Sequence, residues 1–216
     1  MAEQYFSAEP ASKDVRRTLN VTLRGHEATA QVSNGVFSGS RVDLGTSVLL
    51  KHAPEPPLTG DFLDLGCGWG PIALTLAFES PEANVWAVDV NERAVDLTHA
   101  NAQANGHTNI HTAQVDESST PAENQPAFCE TVPSDLTFDV IWSNPPIRVG
   151  KEALHTLLMA WLPKLKVGGA AYLVVQKNLG SDSLIPWLDD ALGEGFTASK
   201  YASSKGFRII EVRHEI

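Results

Sequence analysis

The stretch DLGCGWGPI, residues 64–72, lies between a short apolar run and a segment of helical composition, and it decides the fold class. Its three glycines, Gly66, Gly68 and Gly70, let the backbone pass close to a ligand where a Cβ atom would collide. The GxGxG spacing lacks the second gap of the dinucleotide fingerprint GxGxxG. A glycine turn can also be a simple packing turn, so its meaning depends on the segments around it.

From about residue 60 onward, apolar runs that resemble strands alternate with segments that resemble helices. The runs that predict strands are 62–65, 84–90, 109–115, 138–143 and 170–176. This alternation predicts an α/β fold with a Rossmann-like doubly wound sheet, mostly parallel and sandwiched between helices. The last two runs, 196–203 and 206–214, predict an antiparallel hairpin added at the C-terminal end of the sheet.

Two segments fall outside this alternation. Residues 15–33 alternate with period two around Arg24-Gly25-His26, which predicts a small N-terminal β-hairpin. Residues 116–137 are polar and contain prolines, and they predict an inserted surface loop rather than a linker between domains.

The composition is that of an ordinary soluble protein, with 43% hydrophobic residues in a chain of 216. The first residues show no basic segment followed by an apolar one, and the longest wholly apolar run, AAYLVV, is far too short for a membrane span. We therefore expect a cytoplasmic protein without a membrane partner. Cys67 and Cys129 lack CxxC spacing, and His107 and His111 have no acid nearby to complete a ligand set, so we predict no metal site.

The formal net charge of −10 weighs against a protein that coats nucleic acid nonspecifically, because phosphate neutralisation needs a basic face. It does not exclude a local basic patch. Basic residues cluster near both ends of the chain: Lys13, Arg16, Arg17, Arg24 and His26, and then Lys200, Lys205, Arg208 and Arg213. A solvated surface of mixed charge would show the same pattern.

An acid, Asp89, closes the second predicted strand. In an open parallel sheet, ligands bind at the carboxyl ends of the strands where the topology reverses. A carboxylate at that place can accept hydrogen bonds from two ribose hydroxyls. The alternative is an acid that only favours the N-terminus of the following helix.

The fourth predicted strand ends in Asn144-Pro145-Pro146, with no acid, cysteine or histidine beside it. Proline fixes its own φ and restricts the residue before it, so the Asn144 side-chain oxygen and the Pro145 carbonyl would be held in a fixed geometry. Two such acceptors can take the two N–H bonds of a planar amine and push its nitrogen toward tetrahedral geometry. Ile147 would pack against one face of the target ring. The alternative is a pair of prolines that merely ends a strand.

Together these features resemble the class I S-adenosylmethionine-dependent methyltransferases, over about residues 35–213. DLGCGWG is similar to their first motif, VDVN (88–91) to their ribose-binding second motif, and NPPI to the (N/D)PP(Y/F/I) motif of members that methylate planar amines. The resemblance implies S-adenosyl-L-methionine as cofactor. It implies a cofactor site formed by Asp64, Gly66, Cys67, Gly68, Gly70, Asp89, Val90, Asp116 and Asn144, and catalytic positions at Asn144, Pro145, Pro146 and Ile147. Asp116 would lie near the adenine, although it could equally cap the inserted loop.

A finer likeness is carried by GVFSGSRVDLGT (35–46), NPPIRVGK (144–151) and QKNLG (176–180). These are similar to the small methyltransferase domain of the ribosomal RNA small-subunit guanine-N2 methyltransferases. That likeness implies methyl transfer to a guanine amine, with ribosomal RNA or a small-subunit particle as partner. The chain lacks the second, degenerate domain of the larger bacterial members, and it has Ile147-Arg148 where many have an aromatic and a histidine.

The resemblance also implies how the chain is divided. Residues 1–216 would form a single domain, in which residues 1–45 are a β extension that covers the active site and residues 46–216 are the cofactor-binding core. Thr46 is predicted first as a helix N-cap and second as a cofactor contact.

Four residues are expected to bind the substrate. Phe37 would stack on an RNA base, unless it is simply a buried phenylalanine. Arg148, Lys151 and Lys177 would hold substrate phosphates, unless they are idle surface charges.

Two other functions fit the same residues. A protein methyltransferase that acts on a glutamine side-chain amide needs the same two acceptors, but it usually has an aromatic residue where this chain has Ile147. A non-catalytic module could keep the fold to recognise RNA or a partner. The intact Asn-Pro-Pro turn argues against that module, which would have no reason to retain it.

Overall fold

The computed structural model describes residues 12–38, 41–116, 118–122 and 125–215. The strands are β1 (Arg16–Leu23), β2 (His26–Ser33), β3 (Asp61–Leu65), β4 (Asn84–Asp89), β5 (Ile110–Gln114), β6 (Phe138–Ser143), β7 (Leu165–Gln176), β8 (Phe196–Ser204) and β9 (Phe207–His214). The helices are α1 (Leu44–His52), α2 (Pro71–Glu79), α3 (Glu92–Ala104), α4 (Lys151–Trp161) and α5 (Ser181–Leu192).

Seven of the strands form one sheet in the order β5-β4-β3-β6-β7-β9-β8. The pairs from β5 to β7 are parallel, whereas β9 pairs antiparallel with both β7 and β8. The chain proceeds outward from β3 in one direction through β4 and β5, and in the other through β6 and β7. This confirms the predicted Rossmann-like, mostly parallel sheet with its C-terminal antiparallel hairpin, and it places the topological switch point between β3 and β6.

The core lies on both faces of this sheet, because successive residues of a buried strand point to opposite sides. On one face, Phe62 of β3 packs in a buried cluster that also contains residues of α1, α2 and α3. On the other, Leu63 packs in a second cluster with Leu158 of α4 and Leu188 of α5. Burial on both faces explains why the central strands read as apolar runs rather than as alternating patterns.

The N-terminal hairpin is confirmed as a separate two-stranded antiparallel sheet, β1–β2. Its turn residues, Arg24 and Gly25, both have positive φ (49° and 91°), as a two-residue hairpin turn of type I′ requires. The hairpin packs on α3, where two asparagines bond the free edge of β2. Asn101 accepts from the Gln31 N–H at 2.6 Å and donates to the Gln31 carbonyl at 2.9 Å, and Asn105 does the same with Thr29 at 3.1 and 2.9 Å.

The segment after β5 contains neither helix nor strand in its described parts, 118–122 and 125–137, and forms one isolated bridge between Val115 and Pro121. It is attached to the core by the Glu130 N–H, which donates to the Thr112 carbonyl at 2.8 Å, and by Phe128 stacked on His99. Within the described ranges, no helix has both the length and the apolar character needed to cross a bilayer.

One helix boundary differs from the sequence expectation. The pattern of residues 151–165 suggests a helix that stops at Gly168-Gly169, but α4 ends at Trp161 and β7 already begins at Leu165. Pro163 explains the early stop, since it lacks the N–H that a further helical turn needs. Gly169 lies inside β7, where glycine is needed because a Cβ would approach the carbonyl oxygens of Lys166, Asp139 and Phe138 at 2.9–3.0 Å.

Candidate active site

A cavity of about 480 Å³ opens at the carboxyl ends of β3, β4 and β6, at the switch point of the sheet. Of the residues expected to bind the cofactor, those that line this cavity are Gly66, Gly68, Asp89, Val90 and Asn144. Of the remaining catalytic and substrate-binding candidates, those that line it are Phe37, Pro145, Pro146, Ile147 and Arg148. The fold thus brings the glycine turn, the acid of β4 and the Asn-Pro-Pro turn to one space.

The glycine turn connects β3 to α2 in a conformation that favours glycine. Gly66, Gly68 and Gly70 have φ of 79°, 59° and 92°, which L-residues with a side chain rarely adopt. A Cβ on Gly66 or Gly68 would meet no atom within 4 Å, whereas one on Gly70 would meet the Thr98 side chain at 3.0–3.3 Å. Gly70 therefore packs against α3, while Gly66 and Gly68 border open space that a ligand can occupy.

Asp89 joins this turn to the start of α3. One carboxylate oxygen accepts from the Gly68 N–H and the other from the Asn91 N–H, both at 3.0 Å. Burial raises the pKa of Asp89 to about 6, and the backbone N–H groups partly oppose that rise. Because each carboxylate oxygen has a second lone pair, the group can still accept hydrogen bonds from hydroxyls in the cavity.

Four residues of the expected cofactor site lie outside the main cavity. Asp64 is fully buried and accepts from the Ala73 N–H at 2.9 Å, so it holds the first turn of α2, and burial raises its pKa to about 8. The Cys67 thiol is buried against the Thr98 hydroxyl, and burial raises its pKa well above the usual value. Gly70 faces α3, as described. Asp116 accepts from the N–H groups of Ser118 and Thr120 at 2.8 and 2.9 Å, the loop-capping arrangement that the sequence left open.

The Asn-Pro-Pro turn follows β6, whose last residue is tied to β3 by a 2.6 Å hydrogen bond from the Ser143 hydroxyl to the Leu65 carbonyl. The Asn144 amide nitrogen donates to the Asp43 carboxylate at 3.0 Å and to the Thr46 hydroxyl at 3.1 Å. The Pro145 carbonyl accepts from the Ile147 N–H at 2.8 Å, across the single residue Pro146. A carbonyl oxygen has two lone pairs, so one of them stays free for a substrate.

The prediction that Thr46 caps a helix is wrong. Helix α1 begins at Leu44 and its N-cap is Asp43, which accepts from the Gly45 N–H at 2.7 Å and the Thr46 N–H at 3.4 Å. Thr46 lies inside the first turn, 4% exposed, with its hydroxyl against Asn144. Asp43 also lines the cavity, and sequence reasoning missed it as a site residue. The sequence indicates only the capping role of Asp43, because aspartate is among the best N-cap residues.

The substrate candidates divide into two groups. Phe37 is 44% exposed and lines the cavity, as does the exposed Arg148. Lys151, the first residue of α4, and Lys177, just after β7, are exposed and lie outside the cavity wall. No group of three or more His, Cys, Asp or Glu side chains in the described part of the chain is placed to hold a metal ion.

Comparison with known proteins identifies the family. The sequence profile described as "Methyltransferase small domain" matches residues 27–211. The chain is 37% identical over 213 residues to the uncharacterized protein YbxB of Bacillus subtilis, with 99% of both chains covered. It is 34% identical to ribosomal RNA small subunit methyltransferase C of Shewanella sediminis (69% of this chain, 40% of the relative) and 30% identical to that of Cronobacter sakazakii (87% and 51%). The chain thus spans about half the length of these two methyltransferases, or less.

Solved structures share the fold, and two of them illustrate it. A T. thermophilus 16S rRNA N2 methyltransferase in complex with AdoMet and guanosine matches with a TM-score of 0.70 at 21% identity, over 95% of this chain and 52% of that one. A ribosomal protein L11 methylase of Lactobacillus delbrueckii matches with a TM-score of 0.62 at 16% identity, over 86% and 84%. At such identities the structures support the fold, and the profile and the relatives support the family. The chain therefore belongs to the methyltransferase small domain family, whose members use S-adenosylmethionine.

Proposed function

We propose that this protein transfers a methyl group from S-adenosylmethionine to a planar exocyclic amine, and that the amine is guanine N2 of ribosomal RNA. The observation that carries the proposal is the placement of Asn144 and Pro145 in the cavity that also holds the glycine turn and Asp89. Amine acceptors and a cofactor cradle thus share one space about 480 Å³ in volume.

The residues present fit this cofactor. Gly66 and Gly68 leave open space beside the backbone, and Asp89 offers a carboxylate to ribose hydroxyls. The apolar wall, which includes Val90, Ala94 and Val115, suits the adenine ring. When bound, S-adenosylmethionine supplies a methyl group on a sulfonium, which is an excellent leaving group.

The chain's own contribution is to orient the amine. Its nitrogen is a poor nucleophile because the lone pair is delocalised into the ring. The Asn144 oxygen and the free lone pair of the Pro145 carbonyl accept hydrogen bonds from the two N–H groups of the amine. These hydrogen bonds favour a tetrahedral nitrogen and the positive charge that develops on it. The Pro145 carbonyl does not have to move, since the two prolines fix the backbone that carries it. The amine attacks with both protons in place and the methylated nitrogen, which is then strongly acidic, releases one proton to solvent afterwards, so the turn needs no general base.

Several features support RNA as the substrate. Two relatives of 34% and 30% identity are named ribosomal RNA small subunit methyltransferases. Phe37 lies at the cavity with 44% of its surface exposed, where an RNA base could pack against it, and the exposed Arg148, Lys151 and Lys177 follow the strands whose ends border the site. In this proposal the enzyme is one domain and works on RNA in the cytoplasm, and of the described residues up to 45 those that would cover the site are Val36, Phe37 and Asp43, which line the cavity.

The test is methyl transfer from labelled S-adenosylmethionine to RNA of stripped or immature small subunits, followed by nucleoside mass analysis. We expect N2-methylguanosine, and we expect Asn144→Ala to lower kcat by about 10²–10³-fold, the cost of removing one preorganised transition-state partner. Asn84→Ala is the matched control, since Asn84 is exposed at the opposite end of β4, and it should behave as wild type.

Other outcomes would identify a different function. Label on a ribosomal protein rather than on RNA would indicate the glutamine-amide substrate. Cofactor binding without transfer to any component of a cell extract would indicate a binding module and would overturn the proposal.

A further inference from the structure

We propose that Asp43 and Thr46 are positioning residues for methyl transfer. Together they fix the Asn144 carboxamide so that its oxygen faces the target amine, and Asp43 also makes that oxygen a stronger acceptor. The inference rests on the proposed function and deepens it, because it assigns the groups that set the orientation of the amine acceptor.

The hydrogen bonds of the Asn144 amide nitrogen set the orientation of its carboxamide. Its amide nitrogen carries two N–H bonds, and two acceptors lie within reach: the Asp43 carboxylate at 3.0 Å and the Thr46 hydroxyl at 3.1 Å. Both donors are thereby used inside the protein. Asn144 lines the cavity, and its amide oxygen is the polar atom of the side chain that these two bonds leave for a ligand.

The opposite orientation of the Asn144 carboxamide is unfavourable. If the carboxamide turned over, its oxygen would face the Asp43 carboxylate at about the same 3.0 Å, and neither group has a hydrogen to share. The Thr46 hydroxyl could adapt by donating, but a carboxylate cannot. Asp43 is therefore the group that excludes the wrong orientation, in which Asn144 would offer N–H donors instead of an acceptor.

Asp43 is itself held in place by the start of α1. The oxygen that accepts from Asn144 also accepts from the Gly45 N–H at 2.7 Å, as the N-cap of α1. The partial positive charge of a helix N-terminus stabilises a carboxylate at this place. One oxygen thus links the start of α1 to the turn after β6, although the two residues are 101 positions apart in the chain.

Gly45 provides an independent observation. Its φ lies outside the left-handed region, so backbone conformation does not require glycine there. Packing does: a Cβ would lie 2.9 Å from the Asp43 carboxylate oxygen, 3.1 Å from the Phe207 ring and 3.2 Å from the Asn144 amide nitrogen. Helix α1 therefore has glycine at position 45 in spite of its poor helical propensity, because a side chain there would push Asp43 and Asn144 apart.

The chemical consequence is twofold. A hydrogen bond from the amide nitrogen to a charged acceptor shifts electron density toward the amide oxygen, which strengthens that oxygen as an acceptor in turn. The oxygen then better supports the positive charge that develops on the amine. In addition, the turn offers acceptors only, so it favours an NH2 group and disfavours a ring carbonyl such as guanine O6.

The main test compares Asp43→Asn with wild type in the RNA methylation assay, with Asn144→Ala as reference. Asparagine is as good an N-cap as aspartate and keeps an oxygen acceptor, so the variant should unfold at the wild-type temperature. It loses the charge, and we expect kcat to fall about tenfold, in keeping with the greater strength of charge-assisted hydrogen bonds. The dissociation constant for S-adenosylhomocysteine should stay within about twofold of wild type. Glu55→Gln, an exposed acid in the loop after α1, is the charge control and should be unchanged.

Thr46 is tested by a matched pair. Thr46→Val removes the acceptor and keeps the shape, and we expect a loss in kcat of about tenfold, whereas Thr46→Ser keeps the hydroxyl and should stay within about twofold of wild type. Gly45→Ala should also lower kcat by about tenfold, despite the better helical propensity of alanine.

A second readout needs no substrate. The side-chain amide NMR signals of Asn144, identified by their loss in Asn144→Ala, should shift in Asp43→Asn and in Thr46→Val and remain in place in Thr46→Ser. Wild-type kcat together with unshifted Asn144 signals in both Asp43→Asn and Thr46→Val would overturn the inference and leave the proposed function standing. Wild-type activity of Asn144→Ala itself would overturn both.

Discussion

At the scale of single residues, two carboxylates near the ends of neighbouring strands show how surroundings set the role of an acid. Asp64 of β3 is completely buried, and its only described hydrogen bond is to the first turn of α2. Asp89 of β4 is partly exposed to the cavity. Burial raises the pKa of both, to about 8 and about 6. Asp64 is therefore a structural acid, whereas Asp89 can change its charge near neutral pH in contact with a ligand.

Cofactor affinity should depend on pH through Asp89. Its pKa of about 6 means that the carboxylate is mostly ionised at pH 7 and mostly protonated at pH 5. Only the ionised form offers a charged acceptor to the ribose, so cofactor binding favours loss of the proton and weakens as pH falls. We expect the dissociation constant for S-adenosylhomocysteine, measured by calorimetry, to rise about tenfold from pH 7 to pH 5. Asp89→Asn should bind weakly with little pH dependence, and an unchanged wild-type constant at pH 5 would contradict the assignment.

The sequence predicts the site residues that belong to local motifs, and it fails for those that depend on distant contacts. Gly66, Gly68 and Asp89 follow from a turn between a strand and a helix and from an acid at a strand end. The roles of Asp43 and Thr46 depend on Asn144, which is 101 and 98 positions away, and no local pattern encodes that distance.

At the scale of elements, α3 connects the N-terminal hairpin to the glycine turn. The Asn101 side chain is fully buried and bonds the Gln31 N–H and carbonyl of β2 on one side. The same amide nitrogen donates to the Trp69 carbonyl, within the glycine turn, at 2.8 Å. One side chain thus satisfies three backbone groups of two different elements.

Asn101→Ala should destabilise the fold strongly, because it leaves the buried Trp69 carbonyl and the partly buried N–H and carbonyl of Gln31 without their partner. We expect a loss of about 2–3 kcal/mol in the free energy of unfolding, measured by urea denaturation. Asn105→Ala is the matched control: it removes the equivalent pair of bonds to Thr29 at the partly exposed end of α3 and should cost about 1 kcal/mol or less. Equal losses in the two variants would show that burial of Asn101 is not what matters.

The strand pattern alone predicts the hairpin but not where it packs. Alternation over residues 15–33 indicates two strands, and the Arg24-Gly25 turn fixes their register. The position of the hairpin on α3 depends on Asn101 and Asn105, and asparagine in a helix has no periodic signature. The start of β7 likewise depends on a contact with a distant element, because Leu165 pairs there with Phe138 of β6.

At the scale of the whole molecule, four of the nine basic residues in the two predicted clusters form ion pairs with described residues. Arg16 pairs with Asp14 and Asp96, Arg24 with Glu79, Arg208 with Asp182 and Arg213 with Glu211. By contrast, Arg148, Lys151 and Lys177 form no ion pair with any residue in the described ranges. For a chain of net charge −10, the cations available to phosphate therefore include those around the site.

The salt dependence of RNA binding should report this distribution. Each phosphate contact to single-stranded RNA contributes about 0.7 to the slope of log affinity against log salt. Arg148→Gln should reduce the magnitude of that slope by about 0.7, measured by fluorescence anisotropy with a labelled RNA. Arg213→Gln, which removes a cation already paired with Glu211, should leave the slope unchanged. A slope that responds to Arg213 and not to Arg148 would place the RNA on another face.

The bridge made by Asn101 has a thermodynamic consequence for the free protein. A ligand bound at the glycine turn stabilises the Trp69 backbone, to whose carbonyl the Asn101 amide nitrogen donates. The same amide nitrogen bonds the Gln31 carbonyl and so keeps β2 packed on α3. Local opening of the hairpin should therefore require more free energy when the cofactor is present, although β2 forms no part of the cavity wall. Amide hydrogens of β2 would then exchange with solvent more slowly on ligand binding, in a strand that the ligand never touches.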